Sequence, residues 1–187
     1  MIHRIIYRIR LFLLRRALKK TRQQRRVVSY AEARSLVLLY EVKPDGSHAF
    51  IRDLLAELEA DGKKVHAIGF AADRKLAEPE DGSVTAPGIL LTRKSFSWLM
   101  KVRDRGIREQ LLHRQYDILL DITGSEAIQM KKLAVQLPAA YKAGASHPDF
   151  LPVFDLLMEV SADCPASELA RHTIHYLKII KTPPRND

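Results

Sequence analysis

The stretch SLVLLYEVKPDGSHAFIRDLLAELEADGKKVHAIGF, residues 35–70, decides the fold. Ser35-Leu36-Val37-Leu38-Leu39-Tyr40 is a short unbroken apolar run, the pattern of a strand buried on both faces. Pro44-Asp45-Gly46-Ser47 is a turn and a helix-start signal. Phe50, Ile51, Leu54, Leu55 and Leu58 then recur at helical spacing, and Asp61-Gly62 stops the helix. KVHAIGF, at 64–70, reads as a second strand. Strand, helix and strand joined by short connections form a βαβ crossover, which requires the two strands to run parallel.

Downstream the pattern repeats less cleanly. Residues 71–87, rich in Asp, Glu, Pro and Gly, read as an exposed loop, and 88–91 (GILL) as a short strand. Residues 92–104 carry no single periodicity. A short helix is expected over 107–115, and YDILLD at 116–121 is the clearest strand after the first. Residues 126–137 have helical apolar spacing, 139–144 read as a short strand, and 153–160 contain another. The last helix begins after Asp163 with Pro165 near its first turn, and Pro183-Pro184 ends it. The expected fold is α/β: a Rossmann-like three-layer sandwich with a mostly parallel sheet, preceded by a basic amphipathic N-terminal helix. The expected division is an arm at 1–26, a domain at 27–182 and a tail at 183–187.

The arm carries the charge. The chain of 187 residues has 31 Lys+Arg, 22 Asp+Glu and a formal net charge of +9. Ten of the basic residues lie in the first 26, where there is no acid, so the remainder is nearly neutral. At ~100° per residue, Arg4, Arg8, Arg15, Lys19, Arg22 and Arg26 fall on one ridge about 60° wide. Arg10, Arg16, Lys20 and Arg25 add to it from outside that ridge. Ile2, Ile5, Ile6, Ile9, Phe12 and Leu13 cluster on another side, and Tyr7, Leu11, Leu14 and Leu18 form a second apolar line. A helix over all 26 residues would span about 39 Å. The longest apolar run here, Leu11–Leu14, is too short for a signal peptide or a membrane span. A lone cysteine, Cys164, excludes an internal disulfide framework and a multi-cysteine zinc site, and fits a reducing cytoplasm.

Three readings of the arm stand side by side. Aligned cations can track the phosphates of nucleic acid, with Arg4, Arg8, Arg15, Arg16, Lys19, Lys20, Arg22, Arg25 and Arg26 as contacts. The same helix can lie on an anionic lipid surface, its apolar residues at the headgroup boundary. Its apolar sides can also dock on the body or on a second copy, leaving the arginines solvated. KKTRQQRR, at 19–26, lacks a large apolar residue, which tilts the reading towards structured RNA. A second basic-aromatic cluster joins Phe96 and Trp98 to Arg93, Lys94, Lys101, Arg103 and Arg105.

In a doubly wound sheet, ligands bind beyond the carboxyl ends of the strands. Glu41, Asp121, Thr123, Gly124, Ser125 and Lys142 belong to that end and form the candidate crevice. Asp121 closes a strand, and Thr123-Gly124-Ser125 then opens a helix whose N–H groups could hold an anion. Asp and Ser are equally ordinary helix-start residues, so the structural reading of this motif outweighs a catalytic one. The chain has no G-x-G-x-x-G in its first βα joint, no P-loop and no G-x-S-x-G. His172 and His175 share a face without an adjacent acid or cysteine, so packing is expected of them rather than metal. Cys164 precedes a helix start that could lower its pKa, against the commoner outcome of a small buried thiol.

The stretches SLVLLYE, GKKVHAIGF, YDILLDIT and FDLLMEV, behind a basic amphipathic N-terminus, resemble a family of small Bacteroidota proteins known as a domain of unknown function. That resemblance covers most of residues 1–180 and implies no activity or catalytic residue. YDILLDIT followed by LPAAYKAG is fainter in its similarity to the N-terminal half of heptosyltransferase-type glycosyltransferases. This chain lacks their second, sugar-nucleotide domain, so what the resemblance implies is a relic of the fold, or a small-ligand domain. The function expected is therefore a non-enzymatic cytoplasmic protein binding structured RNA, with the ribosome as a candidate partner, through its N-terminal helix, with no cofactor and no metal. A peripheral membrane protein is the alternative.

Overall fold

The computed structural model describes residues 2–20, 26–72, 74–77, 87–161 and 163–180. Strands β1 (Ser35–Val42), β2 (Lys64–Ala71), β3 (Ile89–Thr92), β4 (Tyr116–Asp121), β5 (Ala139–Ala145) and β6 (Leu156–Met158) form one sheet in the order β3-β2-β1-β4-β5-β6. Every neighbouring pair is parallel, so the sheet expected to be mostly parallel is wholly so. The helices are α1 (Ile2–Lys20), α2 (Ile51–Ala60), α3 (Arg74–Ala77), α4 (Arg105–His113), α5 (Ile128–Gln136) and α6 (Ala166–Ile179).

The chain begins its sheet in the middle, runs to the β3 edge, then returns to the other side of β1. Right-handed crossovers that run in opposite directions place their helices on opposite faces. The side chains sort accordingly. Val37, Leu39 and Leu119 pack with Leu111 of α4 and Leu133 of α5. Leu36, Leu38 and Leu120 pack with Leu54 and Leu58 of α2 and Leu177 of α6. Residues 36–40 are each no more than 1% exposed and feed the two cores alternately, which is why β1 reads as an unbroken apolar run.

Residues 92–104 fold as a 3₁₀ turn at Arg93–Ser95 and a small loop closed by the Phe96–Val102 bridge. Met100 at its tip adopts φ 54°, and Trp98 is thrown into solvent. Asp104 caps α4 by accepting from the Ile107 N–H at 2.8 Å, so the helix starts at Arg105, two residues ahead of the expected 107.

α1 completes the core on the α5 face. The β5–β6 connection there holds only the 3₁₀ turn Leu151–Val153 in place of a crossover helix. α1 packs along α5, with Leu14 fully buried and Tyr7, Leu11, Leu13, Ala17 and Leu18 against the same core. The Tyr7 hydroxyl donates to Asp149 Oδ2 at 3.0 Å, and Arg15 lies 3.7 Å from Asp149 Oδ1. Nineteen helical residues span about 28 Å rather than the 39 Å expected of the whole arm. Arg26 is not on the helix: its backbone N–H donates to Ala140 O at 3.0 Å, alongside β5. Arg26 therefore leaves the ridge expected of a continuous helix, and Arg22 lies outside the described residues.

One half-buried group is expected to make stability depend on pH. His66 on β2 sits edge-on to Tyr116, ring centroids 5.7 Å apart, with Nδ1 buried and unpartnered and Nε2 against the Arg114 guanidinium. Burial, and then the Arg114 charge, lowers its pKa from the ordinary 6.5. The folded state thus disfavours the imidazolium more than the unfolded chain does. Its contribution is whole above pH 6.5 and falls away below it, through the lowered folded-state pKa. His66→Gln is expected to make the fall of melting temperature between neutral pH and pH ~5 shallower, as followed by circular dichroism.

Candidate functional site

Two regions hold the residues that composition and pattern single out. The first is the outer side of α1. Docking uses the line Tyr7, Leu11, Leu14 and Leu18, takes Leu13 from the other apolar line, and leaves four of its residues outside: Ile5 is 53% exposed, Ile6 41%, Ile9 48% and Phe12 63%. Arg8, Arg15, Arg16 and Lys19 are exposed on the same helix. Arg15 alone of these has a carboxylate within ion-pair distance among the described residues. Lys20 and Arg4 lie on α1 with side chains outside the described set, and Arg22 and Arg25 lie outside it altogether.

The second basic-aromatic cluster divides. Phe96 is buried edge-on against Phe70, centroids 6.2 Å apart. Arg103 Nε donates to the Phe96 carbonyl at 3.0 Å, and Arg105 pairs with Glu109. Trp98 stands 77% exposed with Lys94 and Lys101. The Leu99 carbonyl beside it accepts from Lys132 of α5, so the Trp98 loop and α1 both flank α5.

The second region is the crevice where β1 and β4 separate, the point at which strand order reverses. It encloses about 310 Å³ and is lined by Glu41, Thr123, Gly124 and Ser125, as expected, together with Lys43, His147 and Cys164 among others. Glu41, which lines the crevice, and Asp121, which does not, are both spent on structure. Glu41 Oε2 accepts the Gly124 N–H at 2.8 Å. A Cβ at position 124 would lie 2.9 Å from that oxygen, so glycine lets the carboxylate close on the backbone. Asp121 is wholly buried; its Oδ1 accepts the Thr123 N–H at 2.9 Å and hydroxyl at 2.6 Å. Its Oδ2 accepts from Lys131 Nζ at 3.0 Å.

The turn thus takes the structural role that outweighed anion binding in the sequence. α5 starts at Ile128 rather than at the Thr-Gly-Ser turn, and Glu41 already occupies the Gly124 N–H. Lys142 is corrected. It is fully buried inside β5, and its Nζ donates to the Ala134 carbonyl at 2.5 Å and the Val135 carbonyl at 3.1 Å, binding the last turn of α5 instead of the crevice. Lys131, which holds the Asp121–Thr123 turn, escaped the sequence reading. A lysine on a short helix following a strand-terminal Asp was the available signal.

Cys164 lines the crevice, and burial, followed by Glu168, pushes its thiol up rather than down, away from thiolate chemistry. His172 has an acid beside it after all: Glu168 Oε1 lies 3.4 Å from its Nε2 one turn away, while His175 lies edge-on to Tyr176. Among the described residues no group of three or more His, Cys, Asp or Glu could hold a metal ion, and no helix is long and apolar enough to cross a membrane.

Residues 10–180 match the model of a family of unknown function, DUF6913. The chain belongs to this family. The match takes in more than half of α1 as well as the sheet, so the helix and the body are parts of one family unit. No curated protein matches the chain. Among solved structures, a glycosyl transferase family 9 protein from Veillonella parvula is similar at 16% identity, with a TM-score of 0.55 over 86% of this chain and 45% of that one. The E. coli heptosyltransferase WaaC with ADP is similar at 15% identity, with a TM-score of 0.48 over 81% of this chain and 49% of that one. The first likeness shows the Rossmann-like fold. This chain spans less than half the length of either structure.

Proposed function

We propose that this DUF6913 protein is a peripheral membrane-binding protein that lays α1 on an anionic lipid surface, on the cytoplasmic side. The observation that carries this reading is the side-by-side placement of Ile5, Ile6, Ile9 and Phe12 with Arg8, Arg16 and Lys19 on the undocked side of α1. A phosphate backbone gains nothing from four bare apolar side chains, whereas the headgroup boundary takes both kinds at once. The Arg- and Gln-rich stretch that favoured RNA shares Lys19 and Lys20 with α1, and its residues 21–25 lie outside the described residues. Trp98 adds a second anchor, since tryptophan favours the membrane–water interface.

The chain has a single tryptophan, so its own fluorescence reads the contact. Vesicles containing anionic phospholipid are expected to bind the protein and blue-shift Trp98, and neutral vesicles to bind it weakly. Burying a large apolar side chain is worth about 1.5–3 kcal/mol, so the Ile9→Ser/Phe12→Ser variant is expected to weaken binding at least ~10-fold. If that variant binds vesicles as well as the parent, the reading is wrong. If it keeps a salt-sensitive association with RNA instead, the nucleic-acid function replaces it.

A further inference from the structure

We propose that the cleft between α1 and the 3₁₀ turn at Arg93 is a binding site for the phosphate monoester of an anionic lipid headgroup, a site that rests on α1 lying on the membrane. The cleft encloses about 730 Å³. Arg8 and Arg10 reach it from α1, Arg93 from the end of β3, and Ser125 and Glu126 from the turn before α5. The guanidinium groups of Arg8, Arg10 and Arg93 form no ion pair or hydrogen bond among the described residues. Three unpaired forks therefore face one carboxylate, an excess of two positive charges that matches a doubly charged monoester.

Ile6 identifies the source of that phosphate. It lines the cleft and also belongs to the bare apolar face of α1, at 41% exposure. The charged cleft thus opens directly onto the surface that meets hydrocarbon. A lipid can place its phosphate among the arginines and run its chains past Ile6, Ile5 and Ile9, whereas a soluble phosphate would leave that surface bare.

The test uses the full chain with phosphatidic acid vesicles and with phosphatidylserine vesicles matched for surface charge. Phosphatidic acid ends in a phosphate monoester; phosphatidylserine does not. The parent protein is expected to prefer phosphatidic acid. Arg93 lies off α1, so Arg93→Gln is expected to weaken binding to phosphatidic acid about fivefold, as one lost cation near lipid would, and to abolish the preference. Arg16→Gln, outside the cleft, is expected to weaken both vesicles equally. Both variants sit at exposed positions, and an unchanged melting temperature confirms that they fold. A parent without preference, or a preference that survives Arg93→Gln, overturns the site while leaving membrane binding intact. Failure to bind either vesicle overturns the membrane reading as well. Saturation by glycerol 3-phosphate as tight as by vesicles would assign the cleft to a soluble phosphate and overturn the lipid source.

Discussion

Lys131→Ala is expected to destabilise the protein by about 3–5 kcal/mol, the usual consequence of removing one partner of a buried ion pair. Lys131 is 2% exposed and Asp121 is 0%. All three ammonium protons are used: on Asp121 Oδ2 at 3.0 Å, on the Thr123 carbonyl at 2.9 Å and on the Thr123 hydroxyl at 3.0 Å. Without them, Asp121 keeps only its contacts to Thr123 and faces the apolar α5 core with an uncompensated charge. The attraction itself is not the main source of the loss, because desolvation offsets most of it. Asp121→Asn/Lys131→Met removes both charges together and is expected to recover most of the stability. Urea denaturation of Asp121→Asn, Lys131→Met and the double variant closes the cycle. A double variant no more stable than Lys131→Met would show that the charge left on Asp121 is not the source of the loss.

The same residues mark where sequence reading succeeds and stops. YDILLD gave β4 to the residue, because a strand buried on both faces has no other way to be written. The βαβ unit at 35–70 was legible for a similar reason: Gly62, at φ +76°, ends α2 where a left-handed turn needs glycine. Glu41, Thr123, Gly124 and Ser125 were placed at the crevice because strand ends follow from topology. Lys142 was misplaced, since the rule assigns an end of the sheet and not the reach of a long side chain within it. α5 was legible as a helix, but the depth of its burial was not. Its Gln129, Lys131 and Lys132 are buried: Lys131 turns to Asp121 and Thr123, Lys132 to the Leu99 carbonyl of the Trp98 loop, and α1 packs along the same helix. No local pattern announces that cover. Periodicity gave α1 two apolar lines of similar weight, and only packing decides which of them faces α5.

That choice of line leads to the second large effect. Leu14→Ala is expected to lower stability by about 2–5 kcal/mol, because Leu14 is fully enclosed by α5 and the sheet-side core and the cavity left behind cannot collapse completely. Ile9→Ala, five residues earlier on the same helix and 48% exposed, is expected to change stability by less than about 0.5 kcal/mol. The contrast separates a helix built into the fold from a tail attached to it. In the built-in case, urea unfolding of Leu14→Ala remains one transition with an unchanged slope and a lower midpoint. In the case of a tail, neither variant moves the midpoint of the body. Vesicle binding is expected to invert the order. Ile9 contributes its apolar surface to lipid and Leu14 does not, so Ile9→Ala weakens binding under conditions where Leu14→Ala is still folded and binds like the parent. Opposite rankings in the two assays mean that a single helix divides its apolar residues between the core and an outside partner; identical rankings would leave α1 with packing as its only role.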